Sequence, residues 1–305
     1  MLVKGVRQFR FRPIWRGNVR LSPQVRRREE TSVTVIIGAL CGVRNATQTG
    51  NVILCADNLI TYSVDGVPAT SNERGTKIFD LPMGFYAAIA DDISRCLHAV
   101  SYLWQKMSEI DAGDTRRIDL VKMAVLETGE YMRLWMRREI LARHGVSLDE
   151  YLHDRDLACR SDIAREIAEE SMPTQLIVGG FSQSGSPFLL YTDCVNVQEQ
   201  TNPGFFCGGA GAVQALDWLN LRGQNGFMSI QRTAYHVHEA KRFAELSPVV
   251  GGTHHVLLLQ HGQEAKNIGT NQAFLGRWLG AFYPRSTEVL DRPHAWDEFS
   301  NGYDL

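Results

Sequence analysis

The chain has 305 residues, of which 44% are apolar and 22% charged, and its formal net charge is −2. This near-neutral charge argues against a broadly basic nucleic-acid-binding protein, and no apolar run is long enough to cross a bilayer. The six cysteines form no CxxC pair and lie mostly in apolar segments. That pattern favours buried, reduced thiols in a cytoplasmic protein over a disulfide framework or a metal site.

The N-terminal segment, residues 1–32, differs in composition from the rest of the chain. Residues 1–28 contain nine Lys or Arg and no acidic residue. Three interpretations stay open: a propeptide whose removal frees a downstream residue, a basic arm, or a start codon assigned too early. No apolar signal-peptide core is present, which argues against secretion.

Short apolar runs predict strands in the first third of the chain. The first two lie at Val33–Cys41 and Asn51–Asp57, and a third at Leu59–Ser63 leads into a turn. A second pair is predicted at Thr76–Leu81 and Gly84–Ala90.

Two long helices are predicted next. Asp91 and Asp92 favour a helix start, because acidic side chains stabilise the positive end of the helix dipole. This helix should run to about Ile110, with an apolar stripe of Ile93, Leu97, Val100, Leu103, Trp104 and Met107. The second helix is predicted at Thr115–His144. Residues 147–171 are charged and helical in pattern, which predicts an inserted helical hairpin or an oligomer contact.

The second half of the chain repeats the order of strands followed by helices. The predicted strands are Gln175–Phe181, Phe188–Thr192, Gly204–Cys207 and His255–Gln260. The predicted helices are Ala212–Arg222, with Val213, Leu216 and Leu219 facing inward, Ser229–Leu246 and Gln272–Phe282, followed by an irregular tail.

This order predicts an α+β fold rather than a series of βαβ units. Two antiparallel sheets would stack face to face, each covered on its outer side by a helix pair, in a four-layer αββα sandwich. We assign residues 33–283 to one domain, 1–32 to the leader and 284–305 to the tail.

Three residues at the predicted strands indicate chemistry. Thr34 opens the first strand, Asp57 closes the second, and Lys77 lies in the next strand-like segment. A threonine hydroxyl is a weak nucleophile without a base, but an N-terminal threonine supplies its own α-amine, with an ordinary pKa near 8. Each residue alone has a simple structural explanation, as a strand former, a strand-end acid and an edge lysine. Their combination favours an enzyme.

In layer order and motifs the chain resembles the proteasome-subunit branch of the N-terminal nucleophile hydrolases, and within it the bacterial proteasome-like proteins. The motifs are Thr34–Ala39, Ile53–Asp57, Lys77–Phe79, the Gly-rich segment Gly208–Leu216 and the turn Ser247–Gly252. The resemblance covers about residues 33–262.

The resemblance implies a role for each of the three residues. Thr34 would attack an amide carbonyl, with its freed α-amine as general base. Asp57 would pair with Lys77, and Lys77 would lower the barrier to removal of the hydroxyl proton. Thr31 is an alternative first residue, but the family's register favours Thr34.

The resemblance also implies a threonine-type hydrolase of peptides or small amides in a homo-oligomeric ring or stacked assembly. This chemistry needs no metal and no organic cofactor. Neither a nucleic acid nor a membrane is an expected partner.

Two departures from the family pattern leave an alternative open. Ala210 stands where many active members have a serine, and neither Glu245 nor Ser247 falls in register with the family's aspartate and serine. Loss of a supporting hydroxyl would lower the rate by one or two orders of magnitude. The alternative is an inactive structural subunit of a proteasome-like assembly.

Several histidines are close in sequence, at His236, His238, His254, His255 and His261. Adjacent strand residues face opposite sides, and helix residues two apart also diverge. The sequence therefore favours ordinary surface or core histidines over a metal site.

Overall fold

A computed structural model describes residues 34–268, apart from 44–49, 65–66, 73–74, 155, 157–159, 170–173, 201 and 248–249. The basic leader at 1–32 with Thr31, the helix predicted at Gln272–Phe282 and the tail at 284–305 lie outside the described residues. None of the helices in the described ranges is both long and apolar enough to cross a membrane.

The described residues form two five-stranded antiparallel sheets and a two-stranded ribbon, β3–β4. The first sheet has the order β10-β1-β2-β11-β12 and the second β5-β6-β7-β8-β9. The strands are β1 Val35–Cys41, β2 Asn51–Asp57, β3 Ile60–Val64, β4 Val67–Asn72, β5 Ile78–Leu81, β6 Phe85–Asp91, β7 Thr174–Phe181, β8 Pro187–Thr192, β9 Val197–Glu199, β10 Phe205–Gly209, β11 His254–Gln260 and β12 Lys266–Asn267. The helices are α1 Ile93–Ser108, α2 Arg117–Arg143, α3 Leu148–His153, α4 Ser161–Glu169, α5 Ala212–Leu221 and α6 Ile230–Ala244.

Three apolar layers hold the sheets and helices together. In β1, Ile36 and Leu40 pack against the second sheet, whereas Val35 and Ile37 pack against α5 and α6. The outer face of the second sheet packs on α1 and α2, around the fully buried Phe85. Because both faces of each sheet are covered, the strands are apolar on both sides. The predicted four-layer αββα sandwich is confirmed.

Some predicted boundaries and helix faces differ from the structure. Lys77 precedes β5 instead of lying within it, and Asp91 is the last residue of β6, with a φ of +83°. Asp92 alone caps α1, accepting a hydrogen bond from the Arg95 N–H. Among the described residues of the helical pattern at 147–171, the short helices α3 and α4 both contact α2. The short strands β4, β9 and β12 were not predicted.

The predicted inward faces of α1 and α5 were partly wrong. Leu97 and Trp104 are 40% and 53% exposed, and Val213 is 67% exposed. In α1 the small residues Cys96 and Ala99 are fully buried, which turns the buried face of the helix toward them and away from the larger side chains. Spacing alone gives the period of an apolar stripe, and the packing partner decides its centre.

Candidate active site

Thr34, Asp57 and Lys77 meet at one end of the sandwich. The Lys77 ammonium donates a hydrogen bond to the Thr34 Oγ1 and another, of 2.8 Å, to the Asp57 Oδ1. The three residues are buried, at 2%, 0% and 4% exposure for Thr34, Asp57 and Lys77. The structure thus brings together the three residues singled out in the sequence, from both sheets.

Strand register accounts for this meeting. Ile36 of β1 lies opposite Ala56 of β2, which brings Thr34 and Asp57 to the same end of the first sheet. Lys77 comes from the segment entering the second sheet, where its carbonyl accepts a hydrogen bond of 2.9 Å from the Ile89 N–H. Stacking of the two sheets then points the long lysine side chain across to the first sheet.

The Gly-rich turn packs directly on the main chain of Thr34. The Gly211 N–H donates to the Thr34 carbonyl at 3.4 Å, and Gly209 has a φ of +88°. A Cβ atom on Gly209 would overlap that carbonyl oxygen, so glycine is required there both for φ and for close approach. The Gly209 N–H is held by the Gln175 side-chain oxygen at 2.9 Å. Gln175 was missed in the sequence, where it appeared only as the first residue of a strand.

Asp57 uses both carboxylate oxygens. Oδ1 accepts from Lys77, and Oδ2 accepts from the Gly251 N–H at 3.0 Å. Burial raises the pKa of Asp57, an effect that Lys77 and the Gly251 hydrogen bond oppose. Burial lowers the pKa of Lys77, an effect that Asp57 opposes. Pairing with Asp57 therefore favours the charged form of Lys77 beside the Thr34 hydroxyl, against the effect of burial.

The thiols of the described residues are poor candidates for a nucleophile. Cys41, Cys55, Cys96, Cys194 and Cys207 are buried and free, and Cys159 lies outside the described residues. Burial raises the pKa of Cys41, Cys55 and Cys194 to about 12. The thiolate is the reactive form, so these side chains are inert at neutral pH.

Ala210, Glu245 and Ser247, which depart from the pattern of the resembled family, have different surroundings. Ala210 is partly buried in the turn beside Thr34 and offers no hydroxyl there. Glu245 forms ion pairs with Lys241 and Arg242, and Ser247 donates its N–H to the Ala244 carbonyl at 2.9 Å. Glu245 is therefore connected to the site only indirectly. It pairs with Lys241, Lys241 binds the Gly251 carbonyl, and the Gly251 N–H binds Asp57.

His238 on α6 and His254 on β11 lie near Lys241. The His238 Nδ1 and the His254 Nε2 are 3.1 Å apart, and His254 lies opposite Asp57 in the sheet register. Burial, helped by nearby cations, lowers the pKa of His238 to about 4 and that of His254 to about 3, so both rings are neutral at pH 7. Within the described ranges, no group of three or more His, Cys, Asp or Glu residues could hold a metal ion.

The fold is similar to that of solved structures. The "Anbu (Gly-1) mutant" from Hyphomicrobium sp. strain MC1 is 15% identical, with a TM-score of 0.52 over 89% of this chain and 99% of that one. HslV from Trypanosoma brucei is 16% identical, with a TM-score of 0.46 over 74% of this chain and 99% of that one. No protein-family model and no curated protein sequence matches the chain. At such identities the likeness to Anbu concerns the fold alone, and it agrees with the four-layer αββα sandwich predicted from the sequence.

Proposed function

We propose that the chain is a threonine-type hydrolase of amide bonds, acting on peptides, with Thr34 as the first residue of its mature form. The observation that carries the proposal is the Lys77 ammonium, which bonds the Thr34 hydroxyl and the Asp57 carboxylate together. The fold is compatible with this chemistry, but a fold alone does not fix a function, so the proposal depends on the site.

The reaction would proceed in two steps. The Thr34 Oγ1 attacks the amide carbonyl carbon while its proton passes to the Thr34 α-amine. The resulting ammonium returns that proton to the departing amine as the C–N bond breaks, which leaves an ester on Oγ1. Water then attacks the ester, the α-amine takes a proton from that water, and the ammonium returns it to Oγ1 as the acid product leaves.

Lys77 and Asp57 would support both steps without bonding to the substrate. A positive charge within hydrogen-bonding distance of Oγ1 favours the alkoxide character that develops as the hydroxyl loses its proton. Asp57 favours the charged form of Lys77, whereas burial lowers the pKa of that lysine. Proton transfer assisted by a positioned group contributes roughly 10²–10⁴-fold to a rate.

The mechanism requires cleavage of the bond between Val33 and Thr34. In an internal threonine the nitrogen belongs to a peptide bond and is not basic. Cleavage after Glu30 would instead make Thr31 the first residue and give the α-amine to a residue other than the one bonded to Lys77.

We also propose that the mature protein assembles with copies of itself. Large apolar side chains are exposed on α1 and α2, including Leu97, Trp104, Met123 and Leu134. Exposed apolar side chains on neighbouring helices are typical of interaction surfaces. A solution mass that is a multiple of the protomer mass would support this assembly, and a monomer would contradict it.

The direct test compares Thr34→Ala with Thr34→Ser in hydrolysis of peptides and small amides. We expect Thr34→Ala to lower the rate at least about 10³-fold, because it removes the nucleophile, whereas Thr34→Ser retains a hydroxyl and measurable activity. Full activity of Thr34→Ala would contradict the proposal. Absence of hydrolysis in the processed wild type would favour the second candidate, an inactive structural subunit, for which Ala210 is the supporting observation.

A further inference from the structure

We propose that Lys241 is a positioning residue for this site, acting on Asp57 through the main chain of Gly251. The inference rests on the proposed function, because it assigns a further residue to the same reaction. Lys241 lies in the last turn of α6 and is fully buried. Its ammonium donates to the Gly251 carbonyl and to a Glu245 carboxylate oxygen, each at 2.5 Å.

Gly251 connects this lysine to the site. Its carbonyl accepts from Lys241, and its N–H donates to the Asp57 Oδ2 at 3.0 Å. A Cβ atom on Gly251 would lie 2.5 Å from the Leu59 Cβ, so this main chain packs closely against the segment that follows β2. A group fixed on both its polar atoms and by a close apolar contact has little freedom, which fixes the direction of the Asp57 carboxylate.

The two carboxylate oxygens of Asp57 have different partners. Oδ1 holds Lys77, and Oδ2 is held by the main chain that Lys241 fixes. If Gly251 moves away, Asp57 loses one of its two hydrogen bonds and rotates relative to Lys77. Because Lys77 bonds the Thr34 hydroxyl, a change at Gly251 reaches the reacting atom through two side chains.

Lys241 lies outside the motifs quoted for the family resemblance, but its position in the helical pattern indicates that it is buried. Val237, Ala240 and Ala244 form the buried face of α6, and Lys241 lies on that same face. A lysine among buried apolar helix positions requires a compensating partner, because burial of an unpaired ammonium is strongly unfavourable. Glu245, four residues later, supplies the charge, and the Gly251 carbonyl supplies the second acceptor.

The test compares Lys241→Met with Arg242→Met. Arg242 pairs with the same Glu245 at 3.1 Å, but its side chain is 63% exposed, which makes it a matched control. For Lys241→Met we expect kcat to fall about 10–100-fold with KM within about twofold, as for other residues that orient a catalytic group. We expect Arg242→Met to stay within about twofold of the wild type in both.

A second readout does not depend on activity. Asp57 is faced by Lys77 from the second sheet, by Lys241 from α6, and by His254 across the strand pair. Titration of the Lys77 ¹³Cε resonance, assigned by its loss in Lys77→Arg, reports how well Asp57 supports that lysine. We expect Lys241→Met/Glu245→Gln, which removes one charge of each sign, to lower the pKa of Lys77 further as Asp57 turns away from it. A merely structural role leaves the titration of this double variant unchanged.

Two further variants keep the inference testable if Lys241→Met folds poorly. Lys241→Met/Glu245→Gln removes both charges and should retain stability while showing the same loss in kcat. Lys241→Arg keeps a cation and should recover part of the rate. Wild-type kcat and an unchanged Lys77 titration in the double variant would overturn the inference. A wild type without hydrolysis would instead refute the proposed function, and the titration would still decide the role of Lys241.

Discussion

Two buried lysines are connected to Asp57, one through each of its carboxylate oxygens, and they have different surroundings. Lys77 bonds a hydroxyl that can react, whereas Lys241 bonds a carboxylate and a main-chain carbonyl that cannot. Both ammonium groups are satisfied, so burial and pairing alone do not separate a reactive site from a structural one. Each lysine bonds one carboxylate, and the difference lies in its second acceptor, which is the Thr34 hydroxyl for Lys77 and the Gly251 carbonyl for Lys241.

The largest expected effect comes from Lys77→Met. It would leave the fully buried Asp57 without its ammonium partner, which we expect to lower the free energy of unfolding by about 3–5 kcal/mol. The hydrolysis rate should fall about 10²–10⁴-fold, because the charge beside Oγ1 is lost. Urea unfolding and the rate of peptide hydrolysis measure the two effects separately.

Two controls separate stability from chemistry in this experiment. Lys77→Met/Asp57→Asn removes both charges, so it should recover most of the stability and none of the rate. Lys122→Met breaks a pair with Glu199 at 2.6 Å whose side chains are 32% and 42% exposed, and should cost less than about 1 kcal/mol. A wild-type rate of hydrolysis in Lys77→Met would contradict the catalytic role given to Lys77 and its difference from Lys241.

An intermediate effect is expected at Gly251, which connects Lys241 to Asp57. In Gly251→Ala the new Cβ would lie 2.5 Å from the Leu59 Cβ, and the strain should cost about 1–3 kcal/mol of unfolding free energy. The same shift moves the Gly251 N–H away from Asp57, so kcat should fall as well.

Gly252→Ala is the matched control, because a Cβ there would meet nothing within 4 Å and neither glycine has a positive φ. It should remain within about 0.5 kcal/mol of the wild type. Equal effects of the two substitutions on stability and kcat would refute the role given to Gly251.

The smallest effect concerns pH and the histidines on the Lys241 side. His254, with its pKa lowered to about 3, stays neutral in the folded protein, whereas an unfolded histidine protonates below about pH 6.5. The unfolded state therefore binds more protons as the pH falls. This contribution to stability is complete above pH 6.5 and decreases on acidification, by on the order of 1 kcal/mol per pH unit.

Unfolding in urea between pH 6.5 and 4.5 measures this slope. His254→Gln should flatten it, whereas His153→Gln should not, because His153 is exposed on α3. Equal slopes in the wild type and His254→Gln would show that the buried ring does not contribute.

Periodicity predicted the fold well where both faces of an element are buried by simple apolar contacts. β2 was predicted with its observed bounds, Asn51–Asp57, and the order of strands and helices gave the αββα layers. The short strand β9 was missed because three residues carry too little pattern. Asp91 was assigned to a helix start because an acidic residue is common there. The sequence around it does not reveal that it ends β6 with a positive φ.

The meeting of Thr34, Asp57 and Lys77 follows from strand register and sheet stacking, and the sequence indicated it only through a family resemblance. The contacts of Gly251 with Asp57 and of Gln175 with Gly209 were not predicted, because they use a main-chain N–H and a side-chain amide, for which composition gives no sign. Catalytic roles for the three residues stay a prediction.

The most direct test of the central claim is the first residue of the mature protein and the site of its covalent labelling. The intact mass of protein purified from its native host, before and after treatment with a threonine-directed peptide electrophile, gives the first residue and the number of adducts, and fragment masses locate the adduct. We expect a chain that begins at Thr34, with one adduct on that residue. A chain that retains residues 1–33, hydrolyses peptides and carries no adduct on Thr34 would contradict the account.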